Sequence, residues 1–367
     1  MGFGLTIRDV MRACIRLKKE GCRVIDAHIG APSHEPPVPV AKALSELGEV
    51  GRDYAPFAGI DELREALSKF ARAYIGIDVE PERIFVASSG SHAMLVSVLG
   101  FRGKRGLYPA PGFPIYFIQT DLLGIKCDTY DPTAPDLISE VLSKVREDTA
   151  FVVLNYPHNP TGYYPEKGVI EELYEELRDR GIYMIDDAVY HSIYYEERPE
   201  FIGDCVIDSF SKIFSVPGLR IGVVYLLEGD PKELGRRVYG SVAGASVLSQ
   251  LVGLKMLEAL KPSYLEELRE YYKVKRDILM KGLEEAGFEF PRPKGAFYIL
   301  AEHEKIKDSN GFAEELLDPS RRVCVGVVPA WSFKGKQNQF RISFGKLSEE
   351  DADLLVRELE RAVKTCS

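Results

Sequence analysis

Residues 208–222 read DSFSKIFSVPGLRIG, and they set a lysine, two serines and an arginine close together. Lys212 follows a short apolar run of strand character, Cys205, Val206 and Ile207. Ser209 and Ser211 lie beside it, and Arg220 comes eight residues later. Hydroxyls and a guanidinium fork suit a phosphate group. A lysine amine suits an aldehyde, with which it condenses to a Schiff base. Pyridoxal 5′-phosphate (PLP) carries both groups. Alone, the same run fits a solvated loop beside a strand, so the rest of the chain has to supply the other parts.

The chain has 367 residues, more than the roughly 250–300 at which a single core stops growing, and two domains are expected. A formal net charge of -9 and the lack of a Lys/Arg block argue against a nucleic-acid partner. No apolar run approaches the roughly 18 residues that cross a bilayer. The N-terminal MGFGLTIRDVMRACIRLKKEG mixes charge into its apolar positions, which fits an amphipathic helix and not a signal peptide. Cys14, Cys22, Cys127, Cys205, Cys324 and Cys366 form no CxxC pair. Free thiols without a signal point to the cytoplasm. The histidines are scattered, without HExxH, so no metal is expected. GxSxG and Walker A patterns are absent too, as is GxGxxG after a strand.

A first strand, CRVIDAHIG, runs into GAPSHEPPVPV, whose prolines and glycine make a loop crossing between layers. Helices are expected over about 39–47 and from Asp61, as N-cap, to about 74. Then strand and helix patterns alternate: RIFVASSGSHAMLVSVLG, RGLYPAPGFPIYFIQTDLLG, AFVVLNYPHNPTG, the helix of PEKGVIEELYEELRDRG, IYMIDDAVY, CVIDSFSK and IGVVYLL. Continuous apolar strands between helices predict an α/β fold, a mostly parallel sheet covered on both faces. Ligands bind beyond the carboxyl ends of such strands, where Ser89, Gly90, Ser91, Phe113, Asn159, Asp187 and Lys212 fall. From about 246 a long helical stretch runs to about 286. Short strands follow in FEFPRPKGAFYIL, RVCVGVVPAWSF and QFRISFG, with a last helix capped by Ser348. The expected division is a large cofactor-binding domain, 35–258, and a smaller α+β domain built from both chain ends, 1–34 and 259–367.

NYPHNPTG at 155–162, Asp187-x-x-Tyr190, SFSK, Arg220 and FRIS at 340–343 stand in that order. The chain thereby resembles the fold-type I PLP-dependent aminotransferases of classes I and II, the aspartate and aromatic aminotransferases among them. The resemblance runs from Ile25 to the last helix. It implies that Lys212 holds the cofactor and then serves as general base at the substrate Cα. It selects Asp187 over the adjacent Asp186 as partner of the pyridine nitrogen, which keeps the ring an electron sink. Tyr190 and Asn159 would donate to the ring's phenolic oxygen. Ser89, Gly90 and Ser91, at a helix start, would bind the phosphate with Ser209, Ser211 and Arg220. Phe113 matches the aromatic that stacks on the ring. Arg341 matches the arginine for the substrate α-carboxylate, with Gly30 letting backbone approach it. Tyr54 matches a tyrosine that reaches the neighbouring subunit's phosphate, which implies a homodimer with shared sites.

The implied reaction is ping-pong transfer of an amino group from an L-amino acid to a 2-oxo acid, with 2-oxoglutarate the expected acceptor. A β-lyase or C–S lyase on the same scaffold is the alternative. A PLP-sensing regulator would need a DNA-binding module ahead of Gly30, where fewer than about 30 residues stand. The stretch 241–250, SVAGASVLSQ, holds no arginine for a side-chain carboxylate; Arg236 and Arg237 lie just upstream. Aspartate, aromatic and other neutral donors therefore all stay open. Phe3, Tyr54, Phe57, Trp331 and Phe333 are aromatics expected near the mouth, or else in the core or a dimer contact. His92, His158 and His191 read as helix, loop and strand-end polar residues.

Overall fold

The computed structural model describes residues 4–365, so Phe3 and Cys366 lie outside the described residues. Twelve strands form among the described residues. β1 (Arg23–Ile25) belongs to the N-terminal segment. One sheet takes β2 (Ile84–Ala87), β3 (Arg105–Pro109), β4 (Lys126–Tyr130), β5 (Thr149–Leu154), β6 (Tyr183–Asp187), β7 (Cys205–Ser209) and β8 (Gly222–Leu226). The C-terminal stretch adds β9 (Tyr298–Glu302), β10 (Val323–Val325), β11 (Val328–Pro329) and β12 (Gln339–Ser343).

The large sheet has the order β2-β8-β7-β6-β5-β3-β4. From β7 through β6, β5 and β3 to β4 the pairs are parallel, and β8 is antiparallel to both of its neighbours. Strands β2, β7 and β8 are buried along their whole length, because helices cover both faces and leave no position for a polar alternation. The smaller sheet, β11-β12-β9, is antiparallel. β1 pairs in parallel with β10, Val24 opposite Cys324, so the N-terminal segment packs with the C-terminal unit.

Two boundaries differ from the sequence expectation. The stretch to 286 breaks into helices Val247–Ala259 and Pro262–Glu285, with Lys261 extended between them. A residue before proline is pushed out of the helical region, and that ends the first helix. The N-cap of Asp61–Phe70 is Ile60, not Asp61. Gln250 Oε1 accepts the Ile60 N–H at 2.9 Å, which fixes the chain in an extended conformation one residue earlier. Asp61 instead stands in the first turn, where its charge favours the positive helix end. Ser348 does cap the last helix, its Oγ accepting the Asp351 N–H at 3.0 Å.

Six strands, all but β8, deliver their carboxyl ends to one side of the large sheet. Gly222 closes this region from the antiparallel strand, opposite both Ser209 and Ala87. A Cβ at Gly222 would overlap the Ser89 carbonyl and the Gly90 nitrogen. The glycine therefore lets the β2 turn approach the β7 turn, bringing Gly90 against the Ser209 side chain. Gly222→Ala should lower the thermal midpoint by several degrees, since such overpacking costs about 1–3 kcal/mol. Gly240→Ala, where a Cβ meets nothing within 4 Å, should leave it unchanged or raise it. Equal midpoints for the two variants in a thermal melt would refute this packing account.

Candidate active site

A cavity of about 290 Å³ opens beyond these strand ends. Its floor is Lys212, on the short helix Phe210–Ile213 that follows β7. The ammonium donates to the Gly30 carbonyl at 2.5 Å and makes no ion pair among the described residues. Burial and then the nearby Arg341 cation pull its pKa down to about 8. A far larger fraction of the amine than for an ordinary lysine is thus neutral near physiological pH, the form that attacks a carbonyl or takes a proton.

Asp187 ends β6 facing the same space. Burial pushes its carboxyl up to about 6, against the opposing effects of the Tyr116 hydroxyl, the Val189 N–H and the Lys212 cation. Tyr116 donates to Oδ2, and Asn155 Nδ2 donates to the Asp187 carbonyl at 2.8 Å. Oδ1 is buried with no partner. An unpaired buried carboxylate oxygen is costly, so the site calls for a donor there, and a cationic one would hold Asp187 ionised. Asp186 points elsewhere, accepting the Ile202 N–H at 3.1 Å.

One end of the cavity is built to take an anion. Ser89 caps helix Gly90–Val98, its Oγ accepting the His92 N–H at 3.0 Å. Gly90 and Ser91 form the first turn, where free N–H groups and the helix dipole attract negative charge. Ser209, Ser211 and Arg220 complete this end. Arg220 holds φ 58 and Ser215 φ 56, a left-handed conformation that costs non-glycine residues about 1–3 kcal/mol and clusters at ligand sites.

The other end is cationic and comes from the C-terminal unit. Arg341, on β12, is buried. Its Nη1 donates to Asn159 Oδ1 at 3.1 Å and its Nη2 to the His28 carbonyl at 2.7 Å, while Nε has no partner. The guanidinium lies over the Tyr298 and Phe333 rings, 4.7 and 4.6 Å from their centroids. Gly30 is bare because a Cβ there would overlap the Tyr298 hydroxyl.

Gly30, Ser89, Gly90, Ser91, Phe113, Asn159, Asp187, Tyr190, Ser209, Ser211, Lys212, Arg220 and Arg341 all line this cavity. Tyr54 does not; its side chain is 98% exposed. The other aromatics expected near the mouth serve elsewhere among the described residues. Phe57 packs on Tyr239, Trp331 donates to Asn310, and Phe333 lies buried against Arg341. The apolar walls come instead from residues such as Ile7, Met94, Ile115 and Val189. Arg237 turns to the Val96 and Ser97 carbonyls, and Arg236 is paired with Glu233. His92 accepts the Ser88 N–H and meets Ser241, His158 meets Thr161, and His191 stands 3.4 Å from Asp208, fully buried. Cys14, Asp26 and His28 form a cluster of metal-ligating types, with Lys18 already paired to Asp26.

Tyr116, Asn155 and Tyr298 escaped the sequence reading. Tyr116 lies three residues after Phe113, one helical turn on, and Asn155 four residues before Asn159, whose N–H its side chain accepts at 3.0 Å. Tyr298 shows only as one position in an alternating strand.

A family model described as aminotransferase class I and II matches residues 23–359. The aspartate aminotransferase of Pyrococcus horikoshii is 29% identical, over 93% of this chain and 91% of that protein. The aspartate/prephenate aminotransferase of Thermus thermophilus is 30% identical, over 95% and 92%. The structure of the Thermus thermophilus aspartate aminotransferase with maleate superposes with TM-score 0.89 at 26% identity, covering 98% of this chain and 97% of that one.

The lowered pKa of Lys212 predicts how fast its amine condenses with a carbonyl. Borohydride trapping of a small aldehyde on Lys212 should rise with pH through a midpoint near 8. A midpoint near the ordinary lysine value of about 10.4, read by peptide mass spectrometry, would contradict it.

Proposed function

This chain belongs to the class I and II aminotransferases, and on that premise we propose that its cavity binds PLP through Lys212 and transfers amino groups from L-amino acids to 2-oxo acids. The observation that carries the cofactor reading is the buried, partnerless Asp187 Oδ1 facing the amine of Lys212 across one cavity. A protonated pyridine nitrogen supplies the donor that oxygen lacks. The helix start at Ser89, Gly90 and Ser91, with Ser209, Ser211 and Arg220, suits the phosphate. When bound, PLP supplies an electrophilic carbonyl carbon and a ring that takes up electrons from the substrate Cα.

The chain's own groups then divide the work. Lys212, freed as a neutral amine, takes the proton from the substrate Cα and delivers it one position along. Asp187 would keep the ring nitrogen protonated, and Phe113 would pack against the ring. Asn159 uses its Oδ1 for Arg341, which leaves its amide N–H₂ to donate to the phenolic oxygen beside Tyr190. Arg341, with a free Nε, takes the substrate α-carboxylate next to the backbone of Gly30.

The division of the chain into 35–258 and 1–34 with 259–367 goes with this reading. The large sheet lies in the first part, and Gly30 and Arg341 come from the second. Tyr54 belongs to the dimer in this account. Leu44, Phe57, Tyr239, Val242 and Leu248 are exposed around the same region, an apolar surface that a second copy would cover, with Tyr54 reaching the partner's phosphate. Among the described residues no helix is long and apolar enough to cross a membrane, and we place the enzyme in the cytoplasm.

The curated relatives are named for transfer, not for elimination, which favours the transferase over the lyase. Their names favour aspartate or a related donor. The cations lining the cavity are Lys212, Arg220 and Arg341, and each already has an assignment. Among its described residues one subunit therefore lines the cavity with no further cation for a side-chain carboxylate, and neutral donors should compete with aspartate. A donor panel with 2-oxoglutarate, compared by kcat/KM, ranks them; a large preference for aspartate would show that the partner supplies the missing cation. Lys212→Ala should lose the cofactor's covalent attachment and at least about 10²–10⁴-fold in rate. Retention of both attachment and rate would end the assignment of Lys212.

A further inference from the structure

Tyr298 has no role in the reading above, yet it touches the groups at both ends of the reaction. In the β9–β12 pairing, Tyr298 lies opposite Ser343 and Leu300 opposite Arg341. Opposed residues share a face of a sheet, and so do residues two apart. Tyr298 and Arg341 are therefore diagonal neighbours pointing into the cavity. The ring carries the Arg341 guanidinium on its face, 4.7 Å from the centroid. The hydroxyl lies 2.6 Å from that of Tyr190. Both tyrosines are buried, and a Cβ on Gly30 would displace this hydroxyl.

We propose that Tyr298 is a positioning residue that couples the substrate-carboxylate arginine, Arg341, to the cofactor-facing hydroxyl of Tyr190. The inference rests on the function proposed above. Either hydroxyl can donate in this pair; once a phenolic oxygen of the cofactor takes the Tyr190 proton, Tyr298 becomes the donor and satisfies the oxygen of Tyr190. A hydroxyl that accepts while donating is the stronger donor, because hydrogen bonds in a chain polarise one another. The charged and titratable groups facing this pair are Arg341 from β12, Lys212 from the helix after β7, and Asp187 from β6. Lys212 Nζ sits 5.5 Å from the Tyr190 ring centroid. Substrate on Arg341 thereby presses on the ring that orders the proton of Tyr190.

Two variants of the cofactor-loaded enzyme separate the two halves of this link. Tyr298→Phe keeps the ring under Arg341 and removes the hydroxyl. Its KM for an amino acid should stay within about twofold. The pH midpoint of its visible cofactor absorbance should rise by about half a unit to one unit, because Tyr190 then stabilises the phenolic oxygen less. Tyr298→Leu removes ring and hydroxyl, and should show the same midpoint shift with a KM raised about three- to thirty-fold. Both are compared with wild type at equal cofactor content and equal thermal midpoint. An unmoved absorbance midpoint in Tyr298→Phe, or an unmoved KM in Tyr298→Leu, overturns the coupling while leaving the cofactor assignment standing. A wild-type enzyme that gains no visible band on loading with PLP overturns the cofactor reading and the coupling with it, and a visible band that does not move with pH overturns the coupling alone.

Discussion

Three cations facing one carboxylate set the terms for everything in the cavity. Lys212, Arg220 and Arg341 line the same space as Asp187, and none of the three makes an ion pair among the described residues. Burial lowers the pKa values of both Lys212 and Arg341, and the Arg341 and Arg220 cations add a smaller repulsion at Lys212. Such a site is costly when empty and calls for anions. The phosphate proposed for the Ser89 end and the carboxylate proposed for the Arg341 end would relieve it. The same burial, with a smaller push from Arg341, keeps the amine of Lys212 partly neutral. Buried cations thus both attract anions and activate the amine.

The fold delivers these charges from distant parts of the chain. The parallel strands bring Asp187 and the Ser209–Lys212 turn to one sheet end, and the antiparallel β8 packs Gly222 into the gap between two turns. Arg341 arrives from the smaller antiparallel sheet. The N-terminal segment crosses between the two with its backbone as the working part: the His28 carbonyl holds Arg341 and the Gly30 carbonyl holds Lys212. Ser343 adds a bond from its hydroxyl to the Ile29 carbonyl at 2.8 Å, and Tyr272 accepts the Ser33 N–H at 3.0 Å. These bonds fix the start of the loop GAPSHEPPVPV beside the cavity.

Much of this was legible in the sequence, for definite reasons. Strand ends in an α/β fold are marked by the change from apolar to small or polar residues, and that change exposed Ser89, Asp187 and Lys212 directly. NPTG and SFSK carry short-range order, so Asn159 and Ser209 could be placed without a structure. Tyr116 and Tyr298 could not be. Each does its work on a distant part of the chain, Tyr116 on Asp187 from the helix after β3 and Tyr298 on Tyr190 over more than a hundred positions. A tyrosine in an apolar pattern reads as core. The mouth stayed open between alternatives for the opposite cause: Trp331 and Phe333 are aromatic, but the Trp331 N–H goes to Asn310, the Phe333 ring is buried against Arg341, and part of the wall goes to Ile7, brought in by a helix start. Helix breaks such as that at Pro262 depend on which of several permissive sites the tertiary packing uses.

The central claim is that these residues transfer an amino group and do not eliminate one. Mixing the cofactor-loaded enzyme with an L-amino acid in the absence of any acceptor tests it most directly, with 2-oxo acid and ammonia both measured per active site. The account predicts about one equivalent of 2-oxo acid per loaded site, no ammonia, and no further reaction until a second 2-oxo acid is added. Continuous ammonia release without an acceptor would contradict it.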